Sequence, residues 1–204
     1  SLFVVMYVTH GFTRLTTSAF LGCTFSVITT LLFARFAADL TKVTGFSSEE
    51  SVFLNMATNG NLDFVGLLIG GIIIGVIGVI DDVAITQASI VHELRHTDSS
   101  LSPKVLYGKA IKIGRDHMGA VINTLILAYT GASLPLILLL YGSNASFVEL
   151  INREALTTEI IRSIAGSLGL LLAVPLTTLI AIFLMKNKEY VESSKGSHVH
   201  RHRH

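Results

Sequence analysis

The stretch Phe64–Val91 constrains this chain most: twenty-eight residues whose only charged side chains are two adjacent carboxylates, Asp81 and Asp82. About 20 helical residues cross the ~30 Å of a bilayer's hydrocarbon. In lipid every backbone N–H and C=O must be bonded within its own segment or barrel, so an apolar run this long is a membrane-spanning helix. Composition agrees, with 50% hydrophobic residues, 14% charged and a mean hydropathy of +0.64. Soluble domains carry about 25% charged residues. A soluble enzyme, a nucleic-acid binder and a disordered chain are therefore poor fits, and the net charge of +1 gives no sign of a polyanionic partner. The class left is all-α: a polytopic transmembrane helix bundle whose first partner is the lipid bilayer.

Four complete spans are expected, at about 18–40, 64–91, 118–141 and 160–185, within a bundle of residues 1–186. The opening Ser1–Val8 is apolar but too short to cross a bilayer, and reads as the end of a helix that begins before it. Basic residues set the sidedness. Eleven Lys and Arg lie in the loop around Arg14, in His92–His117 and in the tail from Lys186; four (Arg35, Lys42, Arg153, Arg162) lie on the other side. This alternation places the His92–His117 loop and the C-terminus in the cytoplasm. The tail 187–204 is His-rich and reads as a polar segment without a defined metal site, since no carboxylate or thiolate lies among its histidines. Cys23 is the one cysteine and cannot form an internal disulfide. Ser146-Phe-Val-Glu149 matches a capping box and predicts a short helix before the last span. In that span Gly166 and Gly169 permit close packing, and Pro175 suggests a kink.

The span with the aspartates carries the chemistry. A carboxylate at mid-bilayer costs ~2.5–3.5 kcal/mol on insertion scales, so it should face the bundle interior or water. At about 100° per residue, Gly71, Gly75, Gly78, Thr86, Ser89, Glu93 and His96 fall on one stripe with Asp82, while Asp81 stands about 100° aside. The pairs Gly66/Gly70 and Gly71/Gly75 are small-xxx-small spacings that let another helix approach. Two neighbouring acids in a low dielectric titrate as a unit, and one is expected to hold its proton near neutral pH. This reads as a proton or cation relay through Asp81, Asp82, Thr86, Ser89 and Glu93, with Asn123 and Thr124 of the next span as a facing polar wall. The bland alternative is that the acids and amides hold helices in register. His117 reads as an interface residue rather than a metal ligand. No cofactor, phosphate loop or nucleophile elbow is indicated.

Two stretches carry a family resemblance: Gly78-Val-Ile-Asp-Asp-Val-Ala-Ile-Thr-Gln-Ala-Ser-Ile-Val-His-Glu93, and Gly114-Arg-Asp-His-Met-Gly-Ala through Pro135. With Glu159, Arg162, Gly166-Ser-Leu-Gly169 and Pro175-Leu-Thr177, the chain resembles the YibE/F family of bacterial membrane proteins over nearly all of its length. The resemblance implies a multi-pass inner-membrane protein of permease type, with an earlier helix and an extracytoplasmic domain outside this sequence. Gly78-x-x-Asp81-Asp82-x-x-Ile85 is also similar to the fourth transmembrane helix of resistance-nodulation-division (RND) transporters, which implies an RND-like half-core with proton-carrying aspartates. Those acids pair with a basic residue inside the membrane. No Lys or Arg lies mid-span here, so another chain, or protein beyond this sequence, would have to supply it.

The leading expectation is thus a proton-coupled transporter or permease of an unknown small solute or ion, not an enzyme. Four spans and a fraction are few for a complete pathway, which points to a homo-oligomer or a partner membrane subunit. The alternative is a non-transporting scaffold or regulatory subunit in which the Asp pair is structural. An intramembrane aspartyl protease fits worst, because its two acids must sit on facing helices.

Overall fold

The computed structural model describes residues 2–47, 49–142 and 146–185. Among these every regular element is a helix: α1 (Leu2–His10), α2 (Arg14–Thr41), α3 (Glu49–Ala57), α4 (Phe64–Thr97), α5 (Pro103–Ala132), α6 (Leu134–Tyr141), α7 (Phe147–Ile151) and α8 (Glu154–Met185). Three of them, α2, α4 and α8, are long and apolar enough to cross a membrane. They pack on one another as the core, with α5 against α8 and α4, and α1 against α2.

Small side chains make this core possible. In lipid, apolar surface alone drives helices together weakly, so close van der Waals contact takes over. The buried face of α2 is Ala19, Gly22, Cys23, Ser26, Thr30, Ala34 and Ala38. It packs on α8, whose buried residues include Ala165, Gly169, Ala173 and Thr177. Gly22 lies directly against Thr177, and Gly169 against Thr30 and Ile80. On the α2 side two hydroxyls are satisfied within the helix, where Ser26 Oγ donates to the Gly22 carbonyl at 2.9 Å and Thr30 Oγ1 to that of Ser26 at 2.9 Å, whereas Thr177 Oγ1 of α8 has no hydrogen-bond partner among the described residues.

Polar clamps close both ends. At one end the Glu154 carboxylate accepts from Thr44 N at 2.8 Å and Gly45 N at 2.6 Å, tying the start of α8 to the turn after α2. Gly45 has φ +86° and lies on the Phe64 backbone, so a side chain there would clash with the start of α4. At the opposite end Arg14 Nη1 donates to the Leu184 carbonyl at 2.9 Å, joining the start of α2 to the end of α8. The helices α4 and α8 thus run opposite to α2.

Two regions depart from the sequence expectation. The stretch 92–117, expected as a loop, is helix at both ends: α4 continues to Thr97, and α5 begins at Pro103. Ser102 caps α5 by accepting from Val105 N, and Pro103 at the first helical position needs no N–H partner. Only five residues connect the two helices. The expected span 118–141 falls across the second half of α5 and all of α6, with a break at Ser133. Pro135 has no N–H to give the Gly131 carbonyl, which explains the interruption. The capping-box expectation holds at Ser146, whose Oγ accepts from Glu149 N at 3.3 Å. The helix α8 is continuous through Pro175. The His-rich tail lies outside the described residues.

Candidate functional site

The aspartate pair stands at the middle of the 34-residue α4. At 1.5 Å per residue, each end of the helix is about 25 Å away. The two carboxylates point in different directions. Asp81 is partly buried, and its Oδ1 is fully enclosed with no hydrogen-bond partner among the described residues. Cys23 of α2 and His10 at the end of α1 lie within electrostatic reach of it. Asp82 is exposed on the outside of the helix group.

The stripe expected around Asp82 is real as a line and lies outward. Gly71, Gly75, Gly78 and Glu93 are exposed, and Thr86 and Ser89 are half-buried. Nothing lies within 4 Å of where a Cβ would stand on Gly70, Gly71, Gly75 or Gly78. Of the two surroundings expected for the carboxylate, bundle interior or water, the structure removes the first for Asp82, whose stripe lies on the outside of the helix group. The physical reason is the opposite face of α4, where Leu68, Ile72, Val76, Ile80, Val83, Ala84, Ala88 and Val91 offer far more contact area to α2 and α8. The tight interhelical contacts of helical glycines are instead at Gly22, Gly114 and Gly169.

Asn123 and Thr124 are exposed on α5, and Thr124 Oγ1 donates to the Ala120 carbonyl of its own helix at 3.0 Å. Within one chain they do not form a wall against the carboxylates. Glu93 faces His92, with Nδ1 and Oε1 3.8 Å apart. His117 is half-buried, and its Nε2 has no hydrogen-bond partner among the described residues.

Sequence reasoning passed over Gln87. It is 1% exposed, and its Nε2 donates to the Ala110 carbonyl of α5 at 3.1 Å and to Thr178 Oγ1 of α8 at 2.7 Å. Gly114 lies against its Oε1, which a Cβ there would overlap. One amide thereby joins three helices. The signal was present: Gln87 follows Ile80 by seven residues and Ala84 by three, and precedes Val91 by four, so it is a polar residue on the apolar face of α4.

Three apolar crossing helices, packed through small residues and pinned by a buried amide, define a helical membrane protein. The model of the YibE/F-like protein family matches residues 1–187, and the chain belongs to that family. Neither the curated proteins nor the solved structures give a match to it.

Proposed function

We propose that this chain is a subunit of a proton-coupled permease of the inner membrane, with Asp81 and Asp82 as its titrating pair and its C-terminus in the cytoplasm. The observation that carries this reading is the position of two adjacent carboxylates halfway along a 34-residue apolar helix. Such groups are expensive in lipid, and they mark proton and ion paths. Thr86, Ser89 and Glu93 continue the line from Asp82 toward the basic end of the bundle. Asp82 needs a cover other than lipid, and a second subunit is the natural one. Asn123 and Thr124 then meet the pair only across subunits.

The test is proton movement in proteoliposomes under an imposed pH gradient, followed with an entrapped pH-sensitive dye. Wild type dissipates the gradient, and Asp82→Asn abolishes this while its detergent unfolding midpoint stays the same. Equal dissipation by wild type and variant, or none by either, sinks the proposal.

The open glycines beside Asp82 favour a second reading, a scaffold whose acids lock neighbouring subunits together. It expects Asp82→Asn to run as a smaller species on size exclusion, and wild type to leave the gradient intact.

A further inference from the structure

The connection between α2 and α4 carries a short helix whose polarity is inverted. In α3, Ser51 is buried and Asn55 half-buried, one turn apart on the inward face. Outward stand Val52, Phe53 and Met56, with Phe53 70% and Met56 69% exposed. A connection surrounded by water turns its polar side chains outward, so this face calls for a cover other than water.

The depth of α3 is set by its neighbours. Leu54 lines a cavity of about 240 Å³ together with Leu67, Leu68 and Gly71 of α4. Gly71 lies two turns into α4, about 10 Å from its start. Phe46, just before α3, stacks on Phe64 at the first position of α4, with ring centroids 4.5 Å apart. Thus α3 lies beside the first turns of a membrane-spanning helix. Leu67 is itself exposed, so the lipid-facing surface of α4 runs up to α3.

Both flanks of the short helix are polar: Glu49 and Glu50 open it, and Asn59 and Asn61 follow it. Its nine residues reach only about 14 Å. A helix with polar flanks, an apolar outer face and too little length to cross lies along the interface, with that face in the upper acyl region. Residues 46–62 include no Lys or Arg, so the attraction is apolar and does not call for anionic headgroups.

We propose that α3 is an interfacial anchor, with its Val52, Phe53 and Met56 face buried in the lipid leaflet at the end of the bundle where α2 stops and α4 and α8 begin. The proposal is independent of whether the chain moves protons.

The sequence has no Trp, so a single introduced Trp reports from one place. The test uses F53W in the full chain, reconstituted in phosphatidylcholine vesicles brominated either high or low on the acyl chain. Its emission should lie to the blue of a Trp in water and be quenched more by the shallow bromines than by the deep ones. I74W is the comparator, since Ile74 is 76% exposed further along α4, and it should show the reverse order. M56W should repeat the F53W result, which keeps the test readable if F53W fails to fold. Adding V52S/M56S to F53W should shift the emission to the red and reduce the quenching, because the apolar face is what holds the helix in place. A water-like emission from F53W and M56W, untouched by either lipid, would place α3 in solution. A blue emission untouched by either would mean that protein covers the face. Each of these results, or stronger quenching by the deep bromines, would overturn the anchor.

Discussion

Gly22 and Gly75 are both glycines in long apolar helices, and their surroundings are opposite. Gly22 is buried, with Thr177 pressed on it from α8. Gly75 is exposed, with nothing within 4 Å of a would-be Cβ. The seam between α2 and α8 is complete within one chain. The outer face of α4, which also carries Asp82, is not. Small-residue spacing says that a helix can be approached closely, and does not say by which helix.

The largest effect should come from filling the seam. Gly22→Leu must push α2 away from the α8 backbone, because even a Cβ would stand 2.9 Å from Thr177 Cα. Overpacking a tight interior costs about 1–3 kcal/mol and sometimes more. A strongly lowered unfolding midpoint in detergent is expected. Wild-type stability for this variant would mean that α2 and α8 are not in contact as described.

The next effect tests the amide that pins α4 to its neighbours. Gln87→Ala removes two hydrogen bonds and opens space beside Gly114 and Val174. Interhelical hydrogen bonds in membranes average about 0.6 kcal/mol, so roughly 1 kcal/mol is expected with the lost packing. Gln87→Glu should be worse than Ala, since it removes the donor and places a charge among buried groups. If Gln87→Ala unfolds like wild type, the two bonds contribute nothing measurable.

A smaller effect is expected outside the membrane, in the turn joining α4 to α5. Asp98 accepts from Ser100 N at 3.0 Å and from Ser100 Oγ at 2.6 Å, which holds its carboxyl below the usual carboxylate range. A depressed folded value means that the stabilisation is present at neutral pH. It is lost as the pH falls from the ordinary value of about 3.9 through the folded one. The protection of the Ser100 amide, its exchange rate taken relative to the intrinsic rate at each pH, should therefore fall below about pH 4, and Asp98→Asn should remove that step. An unchanged step in the variant would assign it to another acid.

Much of the fold is legible in the sequence because the membrane makes few demands and makes them loudly. The runs through Ser18–Leu40, Phe64–Val91 and Ile160–Met185 all fall within helices. Helix ends are harder to see, because α4 and α5 extend past the apolar stretch into polar residues such as Glu93, Arg95, Lys104 and Lys109. Hydropathy does not register a helix leaving the membrane. The aspartate pair and its stripe were visible from a 100° projection, but a projection has no outside. The direction of Asp82 was set by the greater bulk of Ile72, Val76, Ile80 and Val83 on the far side. Gln87 was missed because attention to charge hid a neutral amide on the wrong face of its helix.

The smallest effect on the isolated chain is also the sharpest test of the opening contrast. Gly75→Ala and Gly78→Ala add a Cβ where nothing in this chain stands, so the unfolding midpoint of the monomer in detergent should hold or rise slightly. The same methyl group at Gly22 should lower it. If α4 presents its outer face to another subunit, the two alanine variants should shift the monomer–oligomer balance in lipid nanodiscs toward monomer, since small residues set how near two helices can come. A loss of monomer stability at Gly75 comparable to that at Gly22 would show that the face is already covered within the chain. An unchanged midpoint with an unchanged oligomer balance would leave Asp82 facing lipid, where a carboxylate is expensive, and would count against both the relay and the scaffold.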